Sequence, residues 1–133
     1  MPVVDASVVV SALVDSGAVG RWAETILAAG GLSAPELLPY EVANVLRRAE
    51  ASEEITTEMA TLAHRSLDRL RVDLYRYSSL APRAWELRHN LTIYDAAYVA
   101  LAERLGSDLV TLDARIGRAP GPLCGVRLPP SSS

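Results

Sequence analysis

The first thirteen residues, 1-MPVVDASVVVSAL-13, are apolar apart from Asp5, Ser7 and Ser11. The valines before Asp5 predict a short buried strand over 2–5, and the apolar run after it predicts a helix over 6–15. A second helix is predicted over 18–30, stopped at Gly30-Gly31, because glycine takes the left-handed conformation that ends a helix. A short strand over 31–35 ends at Pro35. The helix predicted over 36–52 tolerates Pro39 only within its first turn. Helical spacing over 53–70 puts Ile55, Met59, Leu62, Leu67 and Leu70 on one side. The pattern then predicts a strand over 72–78, a helix over 81–90 and a strong helix over 94–106. A strand over 108–113, a helical turn over 114–119 and a last strand over 124–129 follow. The tail over 129–133 (Pro129, Pro130 and three serines) is expected to be disordered.

Strands alternating with helices imply a single α/β domain over 1–128, with a central parallel sheet of about five strands flanked by helices. That topology fixes directions. Strands end at the carboxyl edge of the sheet, and helices that follow a strand begin there, as does a helix directly preceding the next strand. Open α/β sheets bind ligands at this edge, where the strand order reverses. Asp5 ends the first strand, Asp113 ends the strand over 108–113, Asp95 opens the helix before that strand, and Glu41 lies in the helix after the second strand. All four acids therefore belong on one edge, although more than a hundred positions separate the first from the last.

Asp5, Asp95 and Asp113 each have an ordinary use as a helix cap, worth about 1 kcal/mol. Glu41 does not, since it lies inside a helix on a stripe with Leu37 and Val45; Asp95 likewise shares a stripe with Val99 and Ala102. Acids on half-buried stripes are costly unless something compensates them. Two carboxylates about 4 Å apart repel by roughly 4 kcal/mol at an effective dielectric near 20. All thirteen basic residues are arginine and the chain has no lysine, so no lysine neutralises the cluster, and Arg115 and Arg118 are too few for four acids. A hard divalent cation such as Mg²⁺, with Mn²⁺ as a substitute, suits such a donor set.

Composition narrows the function classes. The net charge of −3 argues against a general polyanion binder. Without lysine, a receiver or phosphoaspartate hydrolase and a Walker A nucleotide binder are excluded. Ser7 has no G-x-S-x-G setting, His64 and His89 stand alone, and the single Cys124 has no zinc-type spacing around it. No apolar run reaches the about 18 residues of a membrane span, and no signal peptide is expected, so the cytoplasm is the expected compartment. Trp22 and Trp85 lie on amphipathic helices and are expected in the core, with some apolar helix surface left for partners.

Four stretches, 3-VVDASVVVSAL-13, 34-APELLPYEVANVLRR-48, 92-TIYDAAYVALAERLG-106 and 108-DLVTLDARI-116, together resemble the PIN domains, specifically the VapC toxins of bacterial toxin–antitoxin pairs. The resemblance implies a metal-dependent endoribonuclease that hydrolyses RNA phosphodiesters by in-line attack of water. It implies Asp5, Glu41, Asp95 and Asp113 as the acidic, metal-holding site, with Mg²⁺ or Mn²⁺ as cofactor. Ser7 and Thr111 occupy positions where the family often has a hydroxyl beside the acids, and Asn44, one turn beyond Glu41, is a candidate to orient it. Arg115 and Arg118 are candidates for RNA phosphate contacts. The implied partners are a VapB-like antitoxin, an RNA substrate and a second copy in a homodimer. The competing reading is a non-catalytic interaction domain whose acids are all helix caps.

Overall fold

The computed structural model describes residues 1–131. In chain order the elements are β1 (Val3–Val4), α1 (Ala6–Val14), α2 (Ala18–Ala29), β2 (Leu32–Pro35), α3 (Leu38–Ala51), α4 (Thr57–Arg69) and β3 (Val72–Tyr75). Then come α5 (Ala81–Glu86), α6 (Ile93–Leu105), β4 (Leu109–Val110), α7 (Ala114–Arg118) and β5 (Val126–Arg127). The five strands form one sheet in the order β3-β2-β1-β4-β5, and every pairing is parallel. The chain builds outward from β1 to one side through β2 and β3, then returns to the other side through β4 and β5. The strand order thus reverses between β1 and β4, where Val3 pairs with Leu109 and Val4 with Val110.

The core is apolar and small-residue rich. Val3, Val4, Leu109 and Val110 are fully buried in the central strands. In α6 every residue from Ala96 to Ala102 is buried, so this helix has no solvent face over its middle two turns. Alanines at 96, 97, 100 and 102 let it lie close against the sheet. Gly106, with φ of 63°, ends it in the left-handed conformation. Among the described residues no helix is long and apolar enough to cross a membrane.

Several elements depart from the sequence pattern for identifiable reasons. The strand expected over 72–78 stops at Tyr75, because Tyr77–Ser79 turn into a 3-10 helix. The helix expected over 81–90 ends at Glu86; the Leu87 N–H bonds to both Arg83 O (3.2 Å) and Ala84 O (3.1 Å), tightening the last turn. In α4 the helix meets its neighbours through the buried residues Ala60, Ala63 and Leu67, while Met59 and Leu62 are exposed and point outward. Trp22 is half-buried against the core, but Trp85 is exposed, with the Arg88 guanidinium 4.4 Å from its ring centre. Of the tail expected to be disordered, residues 129–131 carry no helix or strand, and 132 and 133 lie outside the described residues.

Candidate active site

Asp5 sits one residue beyond β1 with extended backbone, and its carboxylate is almost wholly buried. Its Oδ1 accepts from Ser7 Oγ (2.5 Å) and from the Val8 N–H (3.3 Å), so it caps α1; its Oδ2 accepts from Thr111 Oγ1. The same two hydroxyls brace the segment after β4. Ser7 Oγ accepts from the Leu112 N–H (3.1 Å), and Thr111 Oγ1 accepts from the Asp113 N–H (3.0 Å). Ser7 and Thr111 therefore stitch the ends of the two central strands together through Asp5.

Burial pushes the Asp5 carboxyl up, against the pull of its hydrogen bonds from Ser7, Thr111 and Val8, and the charge of Asp95 adds to the rise. Burial likewise raises Glu41, on α3, with further repulsion from Asp5 and Asp95. Asp95, on the first turn of α6, is raised by burial and by repulsion from Asp113. Three acids drawn from three elements are thus held in each other's field at the carboxyl edge, at the reversal of strand order. Asp113 differs: hydrogen bonding from Arg115 holds its carboxyl below the usual range.

The capping roles divide the four acids. Asp5 caps α1, and Asp113 caps α7 by accepting from the Arg115 N–H (3.0 Å). Asp95 is not a cap. The cap of α6 is Thr92, whose Oγ1 accepts from the Asp95 backbone N–H (3.2 Å), so the helix begins earlier than its apolar pattern suggested and Asp95 falls inside it. Glu41 also lies within its helix, and its Oε1 accepts from the Tyr98 hydroxyl (2.7 Å).

The chain matches the PIN domain family over residues 3–122. It belongs to that family. Its relatives include the ribonuclease VapC1 of Mycobacterium tuberculosis, 44% identical over 127 residues that make up 95% of this chain and 96% of that protein. Among the solved structures that share the fold at a TM-score of 0.66 are these two. One is the Sarcin-Ricin loop cleaving toxin VapC20 of Mycobacterium tuberculosis, 19% identical, covering 89% of this chain and 94% of that one. The other is VapBC2 of Rickettsia felis bound to a DNA fragment from its promoter, 11% identical, covering 96% and 97%.

Within this PIN domain the outer carboxylate is already engaged. Arg115 Nε lies 3.0 Å from Asp113 Oδ1 and its Nη2 lies 2.8 Å from Oδ2, a two-pronged pair on an exposed guanidinium. Among the described residues no three His, Cys, Asp or Glu side chains are gathered about one ion position as they stand. The donor chemistry nevertheless fits a hard cation: carboxylate oxygens, three of them on acids whose ionised forms are disfavoured by burial and by each other. A cleft of about 230 Å³ opens at the outer pair, its wall including Asn90, Thr92, Asp95, Asp113 and Arg115 but neither Asp5 nor Glu41. Arg118 lines a separate hollow of about 320 Å³ beside Cys124, with no acid in its wall.

One expectation about the surroundings of the acids needs correcting. Asn44 does not orient Glu41; it is exposed, and its Oδ1 accepts from Arg47 Nε at 3.0 Å. The residue that touches Glu41 is Tyr98, fifty-seven positions away and 2% exposed. Its position three residues after Asp95 on α6 was the available signal, since residues three apart share a helix face.

Proposed function

We propose that this PIN domain is a metal-dependent endoribonuclease, with Mg²⁺ as its cation and Mn²⁺ as a substitute, and that it is the toxin of a toxin–antitoxin pair. The observation that carries the reading is Asp95: a half-buried acid, raised by burial and by Asp113, whose helix is capped by another residue. An interaction domain built on capping acids gives Asp95 no use, and Glu41 none beyond accepting the Tyr98 hydroxyl. The resemblance to a ribonuclease across 95% of the chain supports the same activity.

Asp5, Asp95 and Asp113 would hold the cation, with Glu41 completing the set or taking a proton from the attacking water. A bound divalent cation supplies Lewis acidity at the phosphate and neutralises the charge that develops there. Ser7 and Thr111 fix Asp5 by hydrogen bonds to both of its oxygens. Asp113 becomes available once Arg115 turns away, and the released guanidinium then faces the cleft where a phosphate would lie. In-line attack needs no histidine or serine nucleophile. A VapB-like antitoxin is the proposed partner, in line with the VapBC2 complex of the same fold, and a homodimer and action in the cytoplasm complete the proposal.

The direct test is incubation with total RNA followed by mapping of the new ends. Discrete cleavage sites that vanish with EDTA and return with Mg²⁺ or Mn²⁺ are expected. Intact RNA under all these conditions, with the protein folded, would overturn the assignment.

The arginines make a second expectation. Changing both Arg115 and Arg118 to Ala should weaken RNA binding and flatten its salt dependence, by roughly 0.7 in the log–log slope for each single-strand phosphate that the protein no longer neutralises. Identical affinity and slope in the double variant would remove both from the RNA path.

A further inference from the structure

We infer that Tyr98 is a positioning residue for the cation site, holding one oxygen of Glu41 so that the other is presented to the acids. The inference rests on the metal reading of that site. The Tyr98 ring is 2% exposed on a helix whose middle is wholly buried, so its hydroxyl has little freedom of direction. That hydroxyl donates to Glu41 Oε1 at 2.7 Å, across from α6 to α3. No donor among the described residues takes the second oxygen, Oε2, so one side of the carboxylate is tied and the other is open.

A buried tyrosine hydroxyl needs some acceptor, and a backbone carbonyl would serve at no cost in charge. The acceptor here is instead a half-buried carboxylate in the field of two other acids, Asp5 and Asp95. Such a carboxylate is expensive to keep ionised, and a fixed neutral donor lowers that cost without adding a positive side chain that would compete with the ion for the carboxylate. Asp95 and Tyr98 stand three residues apart on α6, so the helix sets the place of one acid directly and of another through the hydroxyl. Outer groups that orient an ion's carboxylates typically change its affinity by about ten- to a hundredfold when removed.

The experiment is a Mn²⁺ titration followed by electron paramagnetic resonance, with wild type, Tyr98→Phe, Glu41→Gln and the double variant, alongside RNA cleavage kinetics. Tyr98→Phe should bind Mn²⁺ about tenfold more weakly and lose kcat by a similar factor, with KM for RNA within about twofold of wild type. In the Glu41→Gln background the same change should add less than about twofold, because the hydroxyl acts through that carboxylate. Equal Mn²⁺ affinity in wild type and Tyr98→Phe, or a full tenfold loss in both backgrounds, would overturn the inference and leave the metal reading standing. Wild type that binds no Mn²⁺ would overturn both. Should Tyr98→Phe not fold, a double variant that does fold would support the coupling to Glu41, and one that does not would assign the hydroxyl a purely structural role.

Discussion

Asp95→Asn is expected to abolish RNA cleavage and, in EDTA, to melt higher than the wild type. The side chains are nearly isosteric, and the α6 cap is untouched because Thr92 provides it. A carboxylate in the first turn of a helix gains about 0.3–1 kcal/mol from the helix dipole. The upward displacement of Asp95 means that burial and the charge of Asp113 outweigh this gain. Neutralising it should therefore stabilise the metal-free fold, read as a higher Tm in EDTA. With a cation at a hundred times its Kd, the wild type should gain about 2.7 kcal/mol by mass action, and the variant should lose most of that gain. Cleavage should fall by at least about a hundredfold. A variant that cuts like wild type, or a wild type whose melting ignores EDTA, would defeat the metal reading.

The same groups set a pH dependence. Asp5, Glu41 and Asp95 ionise at higher pH in the folded chain than in the unfolded one, so the folded state holds more protons above the ordinary carboxylate range. Their stabilisation is complete below that range and is lost as pH climbs through the raised values. Asp113 and Glu103, both lowered, act in the opposite sense at more acid pH. Asp95→Asn should accordingly flatten the decline of metal-free stability with rising pH, measured by melting in EDTA across a buffer series.

Gly20→Ala is expected to destabilise the protein severely, against helix propensity, which alone would favour alanine by about 1 kcal/mol. Gly20 lies buried in the first turn of α2, directly over the connection from α1. A Cβ there would overlap the backbone carbonyl oxygen of Asp15 and stand 2.6 Å from its carbonyl carbon. That carbonyl belongs to a tight turn in which Asp15 Oδ1 accepts from the Gly17 N–H (2.7 Å), so it has little room to retreat. Overpacking against backbone typically costs about 1–3 kcal/mol and sometimes more, which lowers Tm by roughly 5–15 °C. Alanine tolerated with an unchanged or higher Tm would show that the α1–α2 turn yields easily.

The acidic edge was legible because it depends on chain direction. Once strands and helices alternate, a residue at a strand end or early in the next helix has its place fixed whatever lies between, and Asp5, Glu41, Asp95 and Asp113 needed nothing more. What the pattern could not carry was side-chain reach. A tyrosine amid the alanines of α6 reads as core; its spacing from Asp95 puts it on the acids' side of the helix, but does not say that its hydroxyl reaches Glu41. In α4 the apolar spacing put Met59 and Leu62 on the packed side with Leu67; Leu67 is buried there, but its buried partners are the alanines Ala60 and Ala63. Trp85 was expected in the core from its place on an amphipathic helix, but α5 buries Ala84 and leaves Trp85 exposed. The α6 cap was missed because Thr92 and Asp95 both suit a helix start, and only the hydrogen bond between them shows which one caps.

The Arg115–Asp113 pair makes the pocket respond unevenly to ionic strength. Arg115 lies mostly in solvent, so its hold on Asp113 weakens as salt rises, as for any exposed ion pair. Asp5 is shielded from the medium by its burial, and its repulsion with Asp95 survives at salt concentrations that loosen the surface pair. Raising salt therefore frees the outer carboxylate while the inner ones continue to strain against each other. One wall of the pocket is tuned by the surrounding solution and the other by the fold.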